Sequence, residues 1–310
     1  MSRSIARIVI GGLCLSLGAC EGVPNDESPY RQESAVQSPD VQPNGRGIGT
    51  MNKFQKGEAG KPGGGNNGIF YHNGPVMLGT VHVYYIWYGN WAGNTANAIL
   101  TDFAQTIGGS PYYNINTTYY DGSNTHITNS VLYAGSTTDS YSQGTSLSDT
   151  QIRTVVSSAI GSGRLPLDTS GVYFVLTSAD VTASSGFCTQ YCGWHTHATI
   201  SGSDIKYSFV GNPDRCPSSC AEQTVGPNGN AGADGMASII AHELEEAHTD
   251  PDLNAWYDRR GFENADKCAW TFGTTYLANG AQANMRLGAR DFLIQRNWVN
   301  SGGGFCALSF

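Results

Sequence analysis

Residues 80–88 read Thr-Val-His-Val-Tyr-Tyr-Ile-Trp-Tyr, every one β-branched or aromatic. A strand with one wet face alternates apolar and polar side chains. A run that does not alternate must be covered on both faces. The chain therefore has to supply helices for two sides of a sheet, and it does. Ala96, Ile99, Leu100, Phe103 and Ile107 fall at helical spacing within 92–107, and Gly108-Gly109 stops the run. Ser148 and Gln151 make a capping box ahead of Ile152, Val155, Val156 and Ile160. Residues 131–133 and 172–177 read as further strands. Residues 195–200 and 205–210 read as two more, around the turn Ser201-Gly202-Ser203-Asp204. Asp234 is expected to cap a last helix running from Gly235 to about His248. This order predicts an α/β or α+β domain, a mixed sheet with packed helices.

The N-terminus predicts export. Arg3 and Arg7 precede an apolar stretch, Ile8 to Leu17, too short to span a bilayer. Leu17-Gly18-Ala19-Cys20 resembles a bacterial lipobox. That resemblance implies a signal peptide over 1–19 and a lipid anchor on Cys20. Residues 20–68 are rich in Pro, Gly, Asn, Gln and Ser and read as a tether. The globular domain is then 69–310, exported and either membrane-anchored or extracellular, with the membrane reached through the lipid alone.

Eight cysteines are present, and Cys14 leaves with the signal. Cys188, Cys192, Cys216, Cys220, Cys268 and Cys306 remain, an even set that suits three disulfides in an oxidising compartment. The preferred pairing is 188–192, 216–220 and 268–306, among fifteen possible ones. The two C-x-x-x-C pairs also have the form of a zinc site, although thiolate zinc belongs mostly to reducing compartments. The net charge of −8 repels phosphate backbones and argues against a nucleic-acid partner.

The last helix holds the chemistry. It reads His242-Glu243-Leu244-Glu245-Glu246-Ala247-His248-Thr249-Asp250-Pro251-Asp252. His242 and Glu246, four residues apart, share one face and can grip one metal ion. Glu243 stands beside the first ligand, where a general base takes a proton from water. Acidic residues on a helix usually form a solvated face. Here Met236, Ile239, Ile240 and Leu244 put apolar surface beside the polar pair, so a buried role is favoured. Farther on, Asp250, Asp252, Asp258, Glu263 and Asp266 offer hard oxygens for calcium, the alternative to zinc. His195 and His197, two apart on a strand, point to the same face and are further candidates. Neither a Gly-x-Ser-x-Gly elbow nor a phosphate-cradling loop after a strand occurs.

Two resemblances extend this reading. Tyr71-His-Asn-Gly-Pro-Val-Met-Leu-Gly, Tyr85-Ile-Trp-Tyr-Gly-Asn-Trp91, Phe187-Cys-Thr-Gln-Tyr-Cys-Gly193 and Val210-Gly-Asn-Pro-Asp-Arg-Cys216 resemble the exordium, or phosphate-induced protein, family over about 69–310. The His-Glu-Leu-Glu-Glu helix followed by Thr-Asp-Pro points within it to the bacterial branch. The family implies secreted proteins and brings no settled biochemical activity. The helix also resembles the zincin pattern H-E-x-x-H, with Glu246 in place of the second His. By that resemblance Asp252, ten residues after His242, is the third ligand, with Asp250 beside it, and the strand 195–200 is the sheet edge that holds a substrate. Together these imply a metal-dependent, peptidase-like hydrolase with a peptide or cell-envelope substrate. The alternative is a non-catalytic binding protein of the cell envelope with a structural metal.

Overall fold

The computed structural model describes residues 68–310, so the signal peptide, Cys20 and nearly all of the expected tether lie outside the described residues. Five strands form the central sheet: β1 (Val81–Tyr88), β2 (Val131–Asp139), β3 (Gly171–Thr177), β4 (Gly193–Ile200) and β5 (Ser203–Val210). Their order is β2-β1-β3-β5-β4. β1 runs parallel to β2 and β3, β3 runs parallel to β5, and β4 lies antiparallel on the β5 edge. The domain is thus a mixed α/β fold. Three helices, α1 (Ala96–Thr106), α2 (Asp149–Gly161) and α3 (Ala231–Thr249), pack around the sheet.

β1 and β3 are central and buried almost throughout, as their unalternating sequences require. β2 is longer than the three residues expected of it. It continues to Asp139 with alternate residues exposed, the pattern of an edge strand. Gly135, Ser136, Thr137 and Thr138 hide it from a hydrophobic reading, and the ladder with β1 makes it a strand. α1 buries Ile99, Leu100 and Phe103, each at most 1% exposed and each worth ~1.5–3 kcal/mol by burial. The capping box of α2 forms as expected. Gln151 N–H donates to Ser148 Oγ at 3.3 Å, and Ser148 N–H donates back to Gln151 Oε1 at 2.8 Å. Ser201 and Gly202 both take positive φ, 51° and 82°, the two-residue turn whose twist matches its flanking strands.

α3 begins earlier than expected. Asn230 is its cap, accepting from Ala233 N–H at 3.1 Å, and Asp234 sits inside the first turn. Asp234 instead accepts from the backbone and side chain of Asn228. Every residue from Gly232 to Thr249 is buried. The helix reaches the sheet at Gly193. A Cβ there would lie 2.5 Å from Ile239 Cγ2, so β4 and α3 approach as closely as glycine allows.

The cysteines pair as Cys188–Cys216, Cys192–Cys220 and Cys268–Cys306. This corrects the local pairing 188–192 and 216–220 and leaves no thiolates for a zinc site there. The two segments flank the β4–β5 hairpin, which brings them side by side, and cross-linking between them becomes the short path. Three disulfides suit an extracellular protein. No helix among the described residues is long and apolar enough to cross a membrane.

Candidate metal centre

α3 carries His242 and Glu246 one turn apart on one face. His242 Nε2 lies 2.8 Å from Glu246 Oε1. That is hydrogen-bond distance, yet neither ring nitrogen of His242 makes a hydrogen bond. The two groups face each other at ion-pair distance with poor hydrogen-bond alignment. Strand β4 supplies the second wall. His195 Nδ1 is 3.6 Å from Glu243 Oε2 and 3.5 Å from Glu246 Oε2. The chain after α3 supplies the third. Asp266 Oδ1 is 3.4 Å from His242 Nε2, and Glu263 Oε1 is 3.7 Å from His195 Nε2. Asp266 N–H donates to Glu246 Oε1 at 3.1 Å and fixes that carboxylate. These six side chains are at most 1% exposed.

The charges do not balance among themselves. Four carboxylates meet two imidazoles, so the six groups stay anionic even with both rings protonated. Burial depresses an imidazole, but Glu243 and Glu246 outweigh it and push His195 up to about 10. His242 is raised for the same reason by Glu246 and Asp266. Burial would raise Glu246, yet His242 and His195 hold it down at about 2. Burial and the charge of Glu246 push Asp266 up to about 7. The cluster therefore favours positive charge, whether as protons on the two rings or as a bound cation.

The remaining candidates lie apart. Asp250 ends α3, and its Oδ1 accepts from the N–H groups of Asn254 and Ala255 at 2.6 Å each. It faces His195 with its carbonyl, 3.4 Å from Nε2, and burial raises its carboxyl to about 6. Asp252 does not join His242 and Glu246. It pairs with Lys206 at 3.0 Å and lies 3.6 Å from His197 Nδ1. His197 in turn contacts Asp204 at 2.8 Å. α3 runs through Thr249 and is capped by Asp250. The helix ends, Leu253 takes φ 57°, and Asp252 points the other way. Asp266, not Asp252, is the aspartate that lies against His242. Nor do the five calcium oxygens converge, because Asp258 is held by Lys267 at 2.8 Å and by Arg260 N–H at 2.7 Å.

His195 and His197 share a strand face as expected, but α3 covers the first and leaves the second half-exposed. Two buried groups escaped the sequence reading. Glu245 accepts from Tyr112 Oη at 2.9 Å, and burial raises it well above the usual carboxylate range. His248 Nδ1 contacts Tyr113 Oη at 2.8 Å. Nothing in the local sequence marks the tyrosines that cover them.

A family model described as phosphate-induced protein 1 conserved region matches residues 69–286. The chain is 34% identical over 269 residues to Protein EXORDIUM-like 3 of Arabidopsis thaliana, covering 74% of this chain and 79% of that protein. It is 33% identical over 271 residues to Protein EXORDIUM-like 5 of the same organism, covering 74% of each. It is 29% identical over 226 residues to Protein PHOSPHATE-INDUCED 1 of Nicotiana tabacum, covering 62% of this chain and 68% of that one. No solved structure matches.

Proposed function

Starting from the fact that this chain belongs to the phosphate-induced protein 1 family, whose relatives' names assign no reaction, we propose that its domain is an extracellular module built around a divalent-metal centre. His195, His242, Glu243, Glu246 and Asp266 are the donors. One observation carries this reading: donors from a strand, a helix and the chain after it converge, fully buried, at separations of 2.8–3.6 Å. Tetrahedral zinc with bonds of ~2.1 Å holds its ligands about 3.4 Å apart. A buried polar atom without a partner costs ~1–3 kcal/mol, and a charged one costs more. A divalent ion offsets that cost for His195 Nδ1, His242 Nε2, Glu246 Oε2 and Asp266 Oδ1 at once. Imidazole mixed with carboxylate suits zinc, manganese or iron better than calcium, which takes six to eight oxygens.

Complete burial supports a structural role for the ion, since structural sites are closed and catalytic ones keep an open position. The module then acts as an exported binding protein of the envelope or its surroundings. Glu243 beside His242, and an antiparallel edge strand before the metal helix, favour a second reading, the zincin-like peptidase. There a peptide would add to β4 as a further strand, the ion would polarise its carbonyl, and Glu243 would hold the proton taken from water. Cys20 is proposed as the lipid anchor, to be read from the mass of the mature N-terminus.

Elemental analysis of the purified protein tests the centre. Stoichiometric zinc, manganese or iron is expected. Chelation should lower the melting temperature by ~5–11 °C, taking about 2.7 kcal/mol for an ion present at a hundred times its Kd. A protein that carries no such metal and melts unchanged in chelator ends this reading. Metal-dependent peptide hydrolysis that is lost in Glu243→Gln would move the assignment to the peptidase.

A further inference from the structure

We propose that the centre holds two divalent ions bridged by the carboxylate of Glu246, an inference that rests on the metal-centre reading above. The donors fall into two sets of three: His195, Glu243 and Glu246, then His242, Glu246 and Asp266. Within each set the donor atoms lie within 4.8 Å of one another, and Glu246 belongs to both. It faces them with different oxygens. Oε2 is 3.5 Å from His195 Nδ1, and Oε1 is 2.8 Å from His242 Nε2.

One ion does not accommodate both histidines. Bonds of ~2.1 Å keep all the donors of one ion within about 4.2 Å of each other. Among the described residues, no set of three within 4.8 Å contains His195 and His242 together. Each half also carries its own buried atoms without hydrogen-bond partners: His195 Nδ1 and Glu246 Oε2 in one, His242 Nε2 and Asp266 Oδ1 in the other. A carboxylate that offers one oxygen to each of two ions is a natural bridge, and paired metal sites lie ~3.5–4 Å apart.

The charge count agrees. Glu243, Glu246, Glu263 and Asp266 carry four negative charges when ionised, and two divalent ions cancel four. Glu263 lies on the far nitrogen of His195, 3.7 Å from Nε2. The Asp250 carbonyl, 3.4 Å from the same Nε2, orients the ring, as an outer carbonyl does for a metal-bound histidine. A single ion would leave two negative charges in a site that water does not reach.

The test uses the full chain, stripped of metal, checked for folding by circular dichroism, and titrated with Mn²⁺ and in parallel with Zn²⁺. Equilibrium dialysis should give two ions per chain. The six-line electron paramagnetic resonance signal of the first Mn²⁺ should broaden or vanish as the second enters and couples through Glu246. His195→Ala and His242→Ala should each keep one ion, with an uncoupled signal. Saturation of the parent at one ion per chain overturns the pair and leaves the metal centre standing. Two ions with no magnetic coupling overturn the bridge. No binding of either metal overturns both readings. Should the variants fail to fold, stoichiometry and coupling in the parent decide.

Discussion

Gly193→Ala tests whether the spacing between β4 and α3 sets the metal centre. The new Cβ would lie 2.5 Å from Ile239 Cγ2, 3.0 Å from the Phe209 carbonyl oxygen and 3.2 Å from Glu243 Oε1. Carbon contacts settle at ~3.5–4.0 Å, so about 1 Å of room must be found. Neither main neighbour yields easily. Ile239 is β-branched on a helix, where one χ1 rotamer dominates, and Phe209 O is backbone in the β5 ladder. The helix must therefore withdraw. Gly193 and His195 lie on the same face of β4, so His195 moves away from Glu243 and Glu246 with it. Overpacking of this kind costs ~1–3 kcal/mol, or about 2–12 °C in melting temperature for a domain of this size. Metal sites tolerate ~0.2 Å in their bond lengths, so affinity should fall by about 10–100-fold. Thermal melts in chelator and in excess zinc, with calorimetric titration of zinc, read both effects. Full metal affinity despite a lowered melting temperature would refute the coupling of spacing to site. An unchanged melting temperature would refute the steric argument itself.

Two further outcomes follow from the fold. Cys192→Ser with Cys220→Ser opens a tie across 28 residues of sequence and should cost ~3–4 kcal/mol, about 6–16 °C; a non-reducing peptide map of the parent should link Cys188 to Cys216, and a 188–192 link would overturn the pairing. Burial pushes the phenol of Tyr207 up to about 12. Its folded value exceeds its unfolded one, so its contribution is intact below pH ~10 and lost as pH rises toward 12. Tyr207→Phe should remove roughly 2–3 kcal/mol of that loss, measured by urea unfolding at each pH; equal slopes for parent and variant would contradict the desolvation argument.

The elements that sequence exposes are those whose cause is local. β1 and β3 announce themselves by unbroken β-branched and aromatic residues, and α2 by Ser148 and Gln151. β2 past Tyr133 does not, because its reason to be a strand is a partner some fifty residues away. The centre divides along the same line. His242, Glu243 and Glu246 are legible because a helix fixes where residues one turn apart must point. Asp266 and Glu263 stood in the sequence as two among several acids, and only the fold separates them from Asp252 and Asp258. Asp252 misled for a definite reason. Counting ten residues from His242 says nothing of how the chain leaves the helix, and here α3 runs through Thr249 and Asp252 pairs with Lys206 instead.

The disulfides at the base of the hairpin bear on how β4 can err. Cys188 and Cys192 are joined in the same sense to Cys216 and Cys220, each link spanning 28 residues. A single tie sets a distance and leaves a pivot. A second tie, four residues along on both sides, removes the pivot. A two-residue slip of β4 against β5 would keep every side chain on its own face and cost the ladder little. It would also carry His195 out of its place against α3 and put Gly193 or His197 there instead. The doubled link forbids that slip covalently and holds the register that places His195, rather than Gly193 or His197, against the helix.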